Sequence, residues 1–368
     1  MLLATYFIRA PFAEADARAA ALAVEQSVEV PLEAIRDDRI RREIVGRVEA
    51  VRPAADGFDV VLGLAEETTG YETAQLLNML YGNCSMHDDV ELGDVEFTDD
   101  YCHHFPGPRF GIDGIREMTA AHGRALTCTA IKPQGSTIAH LSELARTFAL
   151  AGIDIIKDDH GLADQAFSPF AQRVPAVQRA VEQANRDSGG HTRYAPTFSG
   201  SPKAIAEQLR IARDCGVTMA MVVPMLVGLP VFREMRDDFG MALLAHPSFT
   251  LARCVSPALL IGKIYRMLGA DAVIFPNHGS RFAYSRDTCA SLVRNARQPW
   301  ASYLPSLPVP GGGMTPERVD EAVHEYGIDT MLLVGGGLLI AADPADPNAL
   351  LTHCRAFVDR VASHQSRV

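Results

Sequence analysis

The chain predicts an α/β protein in two parts, an N-terminal ferredoxin-like α+β domain over residues 1–113 and a C-terminal (β/α)8 TIM barrel over 114–368. Three observations predict it. The 368 residues exceed one ordinary domain and suit a barrel of about 250 residues with a smaller neighbour. The first third runs β-α-β-β-α-β. From about residue 114 a strand–helix beat repeats eight times.

In the first third, Leu2 to Arg9 reads as a strand. A helix follows from Ala10-Pro11 through Leu22, with proline near the first helical position, where a missing N–H is harmless. Val45 to Val51 and Phe58 to Leu64 are β-rich and flank a turn at Asp56-Gly57. Tyr71 to Leu80 reads as helix and Asp89 to Thr98 as strand.

The barrel strands are expected at Ala125–Lys132, Ile153–Asp159, Arg193–Phe198, Val217–Met225, Met241–His246, Asp271–Pro276, Tyr303–Val309 and Thr330–Val334. All are rich in Val, Ile, Leu, Met or Ala, as strands buried on both faces are. Helical windows such as Ile138–Leu150, Lys203–Asp214, Pro257–Leu268 and Pro316–Tyr326 lie between them. A doubly wound open sheet gives a similar string. The count of eight and the polar residues gathered just after the strands favour the barrel.

Composition narrows the function classes. With 48% hydrophobic and 21% charged residues the chain is globular, and a net charge of -11 argues against a nucleic-acid surface, which needs a basic stripe. A phosphorylated metabolite needs only one local pocket of donors and stays open. Met1 to Ile8 is apolar but too short for a secretory signal, and no run approaches the roughly 18 apolar residues of a membrane span. Seven scattered cysteines with no CxxC pair read as reduced thiols, so a cytoplasmic location is expected.

In a (β/α)8 barrel the chemistry sits at the C-terminal ends of the strands. The first strand ends in Lys132-Pro133-Gln134-Gly135, the second in Lys157-Asp158-Asp159-His160, the fifth in His246 and the sixth in Asn277-His278-Gly279. The seventh and eighth end in the glycine triplets Gly311, Gly312, Gly313 and Gly335, Gly336, Gly337. Glycine lets backbone N–H groups approach an anion closely, and barrels commonly hold phosphate on these two loops. Tight turns alone are the other reading. Lys157 and Asp159 alternate onto one strand face, as a structural ion pair or as a metal and base site in which the lysine carries a carbamate. Lys132 is either a rim lysine paired to a carboxylate or a base of depressed pKa. His246 is either a packed histidine or an acid/base group or phosphate donor.

At this point the motifs resemble a family. Ile131-Lys132-Pro133 and Gly152-Ile153-Asp154-Ile155-Ile156-Lys157-Asp158-Asp159 resemble the ribulose-bisphosphate carboxylase (RuBisCO) superfamily, as does the separation of the two lysines. Ala65 to Gly70 followed by Gly82-Asn83 resembles the family's N-terminal segment that reaches into a partner subunit's site, and Val309 to Gly313 and Val334 to Gly337 resemble its phosphate-binding stretches. The resemblance implies a homodimer with shared active sites, to which Glu66 and Asn83 come from the other subunit. It implies that Lys157 is carbamylated, that Asp159 binds Mg²⁺ and that Lys132 abstracts a proton, while His246 matches the histidine of the fifth strand.

The departures from the carboxylase pattern are specific. Gln134 stands for a second active-site lysine, His160 for an acidic metal ligand and Pro247 for an arginine. Tyr71 and Glu72 stand for threonine and tryptophan, and the loop Asn277 to Phe282 has no lysine. What survives serves enolisation, not carbon dioxide fixation. The resemblance is thus to RuBisCO-like proteins that isomerise or enolise monophosphorylated ketoses, 5-methylthioribulose 1-phosphate foremost. A sugar-acid-phosphate decarboxylase or transcarboxylase and a non-catalytic phosphate binder are the rivals. Imidazole suits transition metals better than Mg²⁺. His160 therefore leaves three options: Mg²⁺ on carbamylated Lys157, Asp159 and water; another divalent ion; or His160 as an acid/base group without metal.

Overall fold

The computed structural model describes residues 1–250, 254–282, 284–340, 346 and 348–364. They form two compact units, one of Met1–Pro106, Thr250–Leu260 and Trp300–Ser302, the other of Gly107–Phe249, Ile261–Pro299 and Tyr303–Val368.

The first unit is a four-stranded antiparallel sheet of β1 (Leu2–Ile8), β2 (Arg47–Ala54), β3 (Gly57–Leu64) and β4 (Val90–Glu96), in the order β2-β3-β1-β4. In β1, Leu2, Ala4, Tyr6 and Ile8 are buried and the alternate residues half-buried, the period of a sheet covered on one face. Helices α1 (Ala15–Glu25) and α2 (Thr73–Tyr81) supply apolar faces through Leu22 and Ala23 and through Leu76, Met79 and Leu80. At the end of α2 the carbonyls have no helical partner. The Tyr6 hydroxyl donates to Leu80 O (2.6 Å) and Gln26 Nε2 to Met79 O (2.6 Å). Strand order, connection and helix placement are those of the expected ferredoxin-like domain.

The second unit contains β5 (Leu126–Ile131), β6 (Ile155–Asp158), β7 (Arg193–Ala195), β8 (Thr197–Phe198), β9 (Met219–Val222), β10 (Ala242–Ala245), β11 (Ala272–Pro276), β12 (Leu307–Gly311) and β13 (Met331–Leu333). All pairings are parallel, in the ladders β13-β5-β6-β7 and β8-β9-β10-β11-β12. Segments β7 and β8 are one strand divided at Pro196. Proline has no N–H for the ladder, yet its carbonyl still accepts from Met221 N (2.9 Å). The nine segments are therefore the eight strands of the expected barrel. Cys128, Ile155, Met221, Leu244, Ile274, Val309 and Leu333 fill its interior. Thr137, Ser201 and Ser285 cap the helices Ile138–Leu150, Pro202–Asp214 and Arg286–Arg297 with side-chain oxygens.

Two expected elements differ in detail. The fourth strand ends at Val222, since Pro224–Val227 is helical, and the window 257–268 contains a π-helical turn at Leu260–Ile264. No two of the seven cysteines form a disulfide. Among the described residues no helix is long and apolar enough to cross a membrane.

Candidate active site

The register between β5 and β6 pairs Ala130 with Lys157 and Ile131 with Asp158, so Lys132 and Asp159 emerge together just beyond the ladder. Their side chains meet, with Lys132 Nζ 2.5 Å from Asp159 Oδ2. Asp159 Oδ1 accepts from Gly161 N (3.0 Å) and lies 3.2 Å from His160 Nδ1. Burial alone would raise the Asp159 carboxyl. Hydrogen bonds from His160, Lys132 and Gly161 outweigh it and hold the group well below the usual carboxylate range.

Lys157 is buried, and its Nζ donates to Asp158 O (3.0 Å). Burial depresses its pKa, and the neighbouring Lys132 pushes the same way while Cys128 and Asp159 oppose. The His160 ring stacks on His246 with centroids 4.3 Å apart and planes at 12°. Lys132, Lys157, Asp159, His160 and His246 are thus brought into one neighbourhood at the ends of the first, second and fifth barrel strands.

His246 Nδ1 accepts from Ser248 N (3.2 Å), so in the neutral ring the proton sits on Nε2. Burial, then Lys157 and His160, hold its pKa well below the ordinary value. A histidine in an unfolded chain takes its proton near pH 6.5, whereas folded His246 stays neutral there, so its share of stability is present above that pH and is lost as pH falls towards the folded pKa. We therefore expect unfolding free energy to decline between about pH 7.5 and about pH 5.5, and His246→Asn to flatten that slope in urea titrations. An unaltered slope would show that His246 takes its proton at the same pH in the folded and unfolded protein.

The middle residue of the second-strand motif has a role that the sequence did not disclose. Asp158 points to the opposite face from Lys157 and Asp159. Its carboxylate accepts from Tyr194 Oη (2.6 Å), Thr197 N (3.1 Å) and Arg173 Nε (3.3 Å). Arg173, fully buried, also donates to Ser168 O (2.5 Å) and Ala163 O (2.8 Å), tying down the loop that follows His160. An aspartate on the off-face of a strand was the available signal, but its partners lie on two other elements.

The remaining predicted residues fall in three places. Gly312 and Gly313 turn with positive φ (61° and 72°) just past β12. At Gly335 a Cβ would sit 4.0 Å from Lys132 Cε, and at Gly336 it would meet nothing within 4 Å. The first lysine therefore lies against the last glycine loop, which is open at Gly336 and packed against Val334 and Met314 at Gly337. Gln134 donates through Nε2 to Gly161 O (2.8 Å) and so binds loop backbone. In the first unit, Glu66 Oε1 accepts from the Met1 ammonium (2.7 Å) and Thr98 Oγ1 (2.8 Å), and Asn83 Nδ2 donates to Glu25 Oε1 (2.8 Å).

One cluster among the described residues gathers three histidine and carboxylate groups closely enough to hold a metal, namely His278, Glu321 and Glu325. Its carboxylates are already engaged. Arg286 and Arg318 each lie 2.9 Å from Glu321, and His278 Nε2 lies 2.7 Å from Glu325. We read it as an ion-pair network.

Fold and charges together define a (β/α)8-barrel enzyme with a lysine–carboxylate centre at its C-terminal mouth. The model of the ribulose bisphosphate carboxylase large chain, catalytic domain, matches residues 111–345. The chain belongs to that family. It is 46% identical over 369 residues to a 5-methylthioribulose-1-phosphate isomerase of Rhodospirillum rubrum, covering 100% of this chain and 97% of the relative. It is 31% identical over 328 residues to a 2,3-diketo-5-methylthiopentyl-1-phosphate enolase of Geobacillus thermodenitrificans, covering 83% and 79%. A crystal structure of a RuBisCO-like protein from Rhodopseudomonas palustris superposes with a TM-score of 0.92 at 44% identity, over 100% of this chain and 99% of that one. Within the family the chain is a RuBisCO-like enzyme of the isomerase and enolase kind, without the carboxylase role.

Proposed function

We propose that the chain isomerises a monophosphorylated ketose through an enediolate, with 5-methylthioribulose 1-phosphate as its substrate. The observation that carries this reading is the position of Lys132, 2.5 Å from Asp159 on one side and against Gly335 on the other. A substrate whose phosphate rests on the N–H groups of Gly311–Gly313 and Gly335–Gly337 presents its carbonyl end to that amine. The donors that a second phosphate would need, at Gln134 and Pro247, are an amide and a proline, which favours one phosphate over two.

In this reading Lys132 takes a proton from the carbon beside the carbonyl, and the electron pair moves onto the carbonyl oxygen. A proton is then returned to the former carbonyl carbon while the neighbouring hydroxyl gives up its O–H proton and becomes the carbonyl, and the former carbonyl oxygen takes a proton, so that ketone and alcohol exchange without an external oxidant. Neutral His246, whose Nε2–H is a donor, and His160 stacked on it hold the enediolate oxygens or return the proton in this reading. The site fits a divalent ion once Lys157 carries a carbamate. An amine must be neutral to add carbon dioxide, and the depressed pKa of buried Lys157 favours that form. Mg²⁺ would then have two anionic oxygen donors on one strand face, from Lys157 and Asp159, with His160 beside them. When bound, it stabilises the charge of the enediolate.

We further read the protein as a cytoplasmic homodimer in which Glu66 and Asn83 complete a neighbouring subunit's site, on the strength of the family segment that they occupy. Proton NMR in D₂O tests the central reading. With 5-methylthioribulose 1-phosphate, Mg²⁺ and bicarbonate, deuterium uptake and a rearranged pentulose phosphate are expected. Chelation should abolish both, and Mg²⁺ with bicarbonate should restore them. Absence of exchange would remove this substrate, and chelator-insensitive exchange would remove the metal.

A further inference from the structure

The loops after the sixth and seventh barrel strands are joined through one side chain. Arg318, on the turn Pro316–Arg318, donates from Nη1 to His278 O (3.1 Å) in the first loop and to Gly313 O (3.2 Å) in the second. Its Nε pairs with Glu321 (2.9 Å). Below this staple, Asn277 N donates to Gly311 O (2.7 Å), and Asn277 Oδ1 accepts from Tyr326 Oη (2.6 Å). The steric fit is close. A Cβ on Gly313 would lie 2.8 Å from Ser280 Cα, and one on Gly312 would lie 3.6 Å from the Phe282 ring. Gly313 is therefore required by the approach of the sixth loop as well as by its positive φ, whereas Gly312 meets the Phe282 ring at ordinary contact distance and is favoured by its φ alone.

The residue carried on that loop is Arg281. Its side chain is exposed, and its guanidinium lies 5.0 Å from the centre of the Phe282 ring. Among the described residues no carboxylate pairs with it, whereas nearby Arg286 and Arg318 are both paired to Glu321. An unpaired guanidinium, on the loop whose Ser280 and Phe282 pack against the Gly312–Gly313 turn, offers the bidentate fork that phosphate oxygens accept.

We infer that Arg318 is a positioning residue that fastens the two loops into one cradle, in which the Gly312–Gly313 turn and the Arg281 guanidinium bind the same phosphate monoester. This rests on the phosphate reading above and deepens it. Lysine cannot replace Arg318, because one ammonium cannot bridge two carbonyls and a carboxylate in the geometry of a planar fork.

The test is a titration of the intact protein with inorganic phosphate, followed by ³¹P NMR, with steady-state kinetics on 5-methylthioribulose 1-phosphate. Wild type, Arg318→Gln, Arg281→Gln and the double variant are compared. Each single change should weaken phosphate binding and raise KM about tenfold or more, with a smaller change in kcat. The losses should not multiply in the double variant, since Arg318 acts by placing Arg281. Wild-type phosphate affinity in Arg318→Gln, or losses that multiply, would overturn the inference while the functional reading stood. If Arg318→Gln does not fold, Arg281→Gln on its exposed loop decides alone, and unchanged phosphate affinity there overturns it. A wild-type protein that binds no phosphate would overturn both.

Discussion

Lys132→Ala is expected to lower kcat about a thousandfold, within the usual range for loss of a proton-transfer group, while phosphate affinity changes only a few-fold. The side chain has two jobs that this substitution removes together, the ion pair with Asp159 at 2.5 Å and the proposed proton abstraction. Lys132→Arg separates them. Arginine keeps a cation for Asp159 but is not deprotonated in proteins, so it cannot be the base. If Lys132 matters only as a partner for Asp159, the arginine variant should retain much of the activity. If it is the base, both variants should be comparably inactive, and neither should catalyse exchange of the substrate's carbon-bound proton with D₂O. Near-normal turnover in Lys132→Ala would assign abstraction to another group, His160 or His246 first.

Arg173→Met is expected to destabilise the protein by about 3–5 kcal/mol, because it leaves a buried carboxylate without its cation. Asp158 and Arg173 are both inaccessible to solvent, and no water can replace the lost charge. Burial pushes the Asp158 carboxyl upward and Arg173 opposes it, so without Arg173 the group should take up a proton at higher pH than in the wild type. Urea unfolding should show a lower midpoint at similar slope. The pair Arg173→Met with Asp158→Asn should recover part of the loss, since no uncompensated charge remains and the Tyr194 hydroxyl can still donate to the amide oxygen. A shift below about 1 kcal/mol would mean that the pair is hydrated in solution. The substitution also releases the carbonyls of Ala163 and Ser168, so the loop after His160 should exchange its amide hydrogens faster.

Much of the architecture was legible in the sequence because its signals are local. The strand over Leu2 to Arg9, the turn at Asp56-Gly57 and the eight apolar runs each depend on residues within a few positions of one another. The glycine triplets and the lysines at the strand ends were visible for the same reason, since strand ends locate a barrel's mouth before any contact is known. Pro196 was visible too, but that it divides a strand without removing it depends on a neighbouring N–H, that of Met221.

The functions within the Lys157–Asp158–Asp159–His160 run were not legible. Alternation placed Lys157 and Asp159 on one face, yet only the parallel register of the first two strands puts Lys132 against Asp159, and only the approach of the fifth strand to the second stacks His246 on His160. The off-face Asp158 needed Arg173 and Tyr194 before it became an anchor, and the sixth-strand loop needed Arg318, contributed beyond the seventh. The sequence by itself determined which residues form strands, helices and turns, and which polar groups stand at the strand ends, because backbone periodicity and turn chemistry are short-ranged. The tertiary structure alone decided which of those groups touch, because a 2.5 Å ion pair or a stacked ring depends on how distant strands curl and register, and no local pattern encodes that.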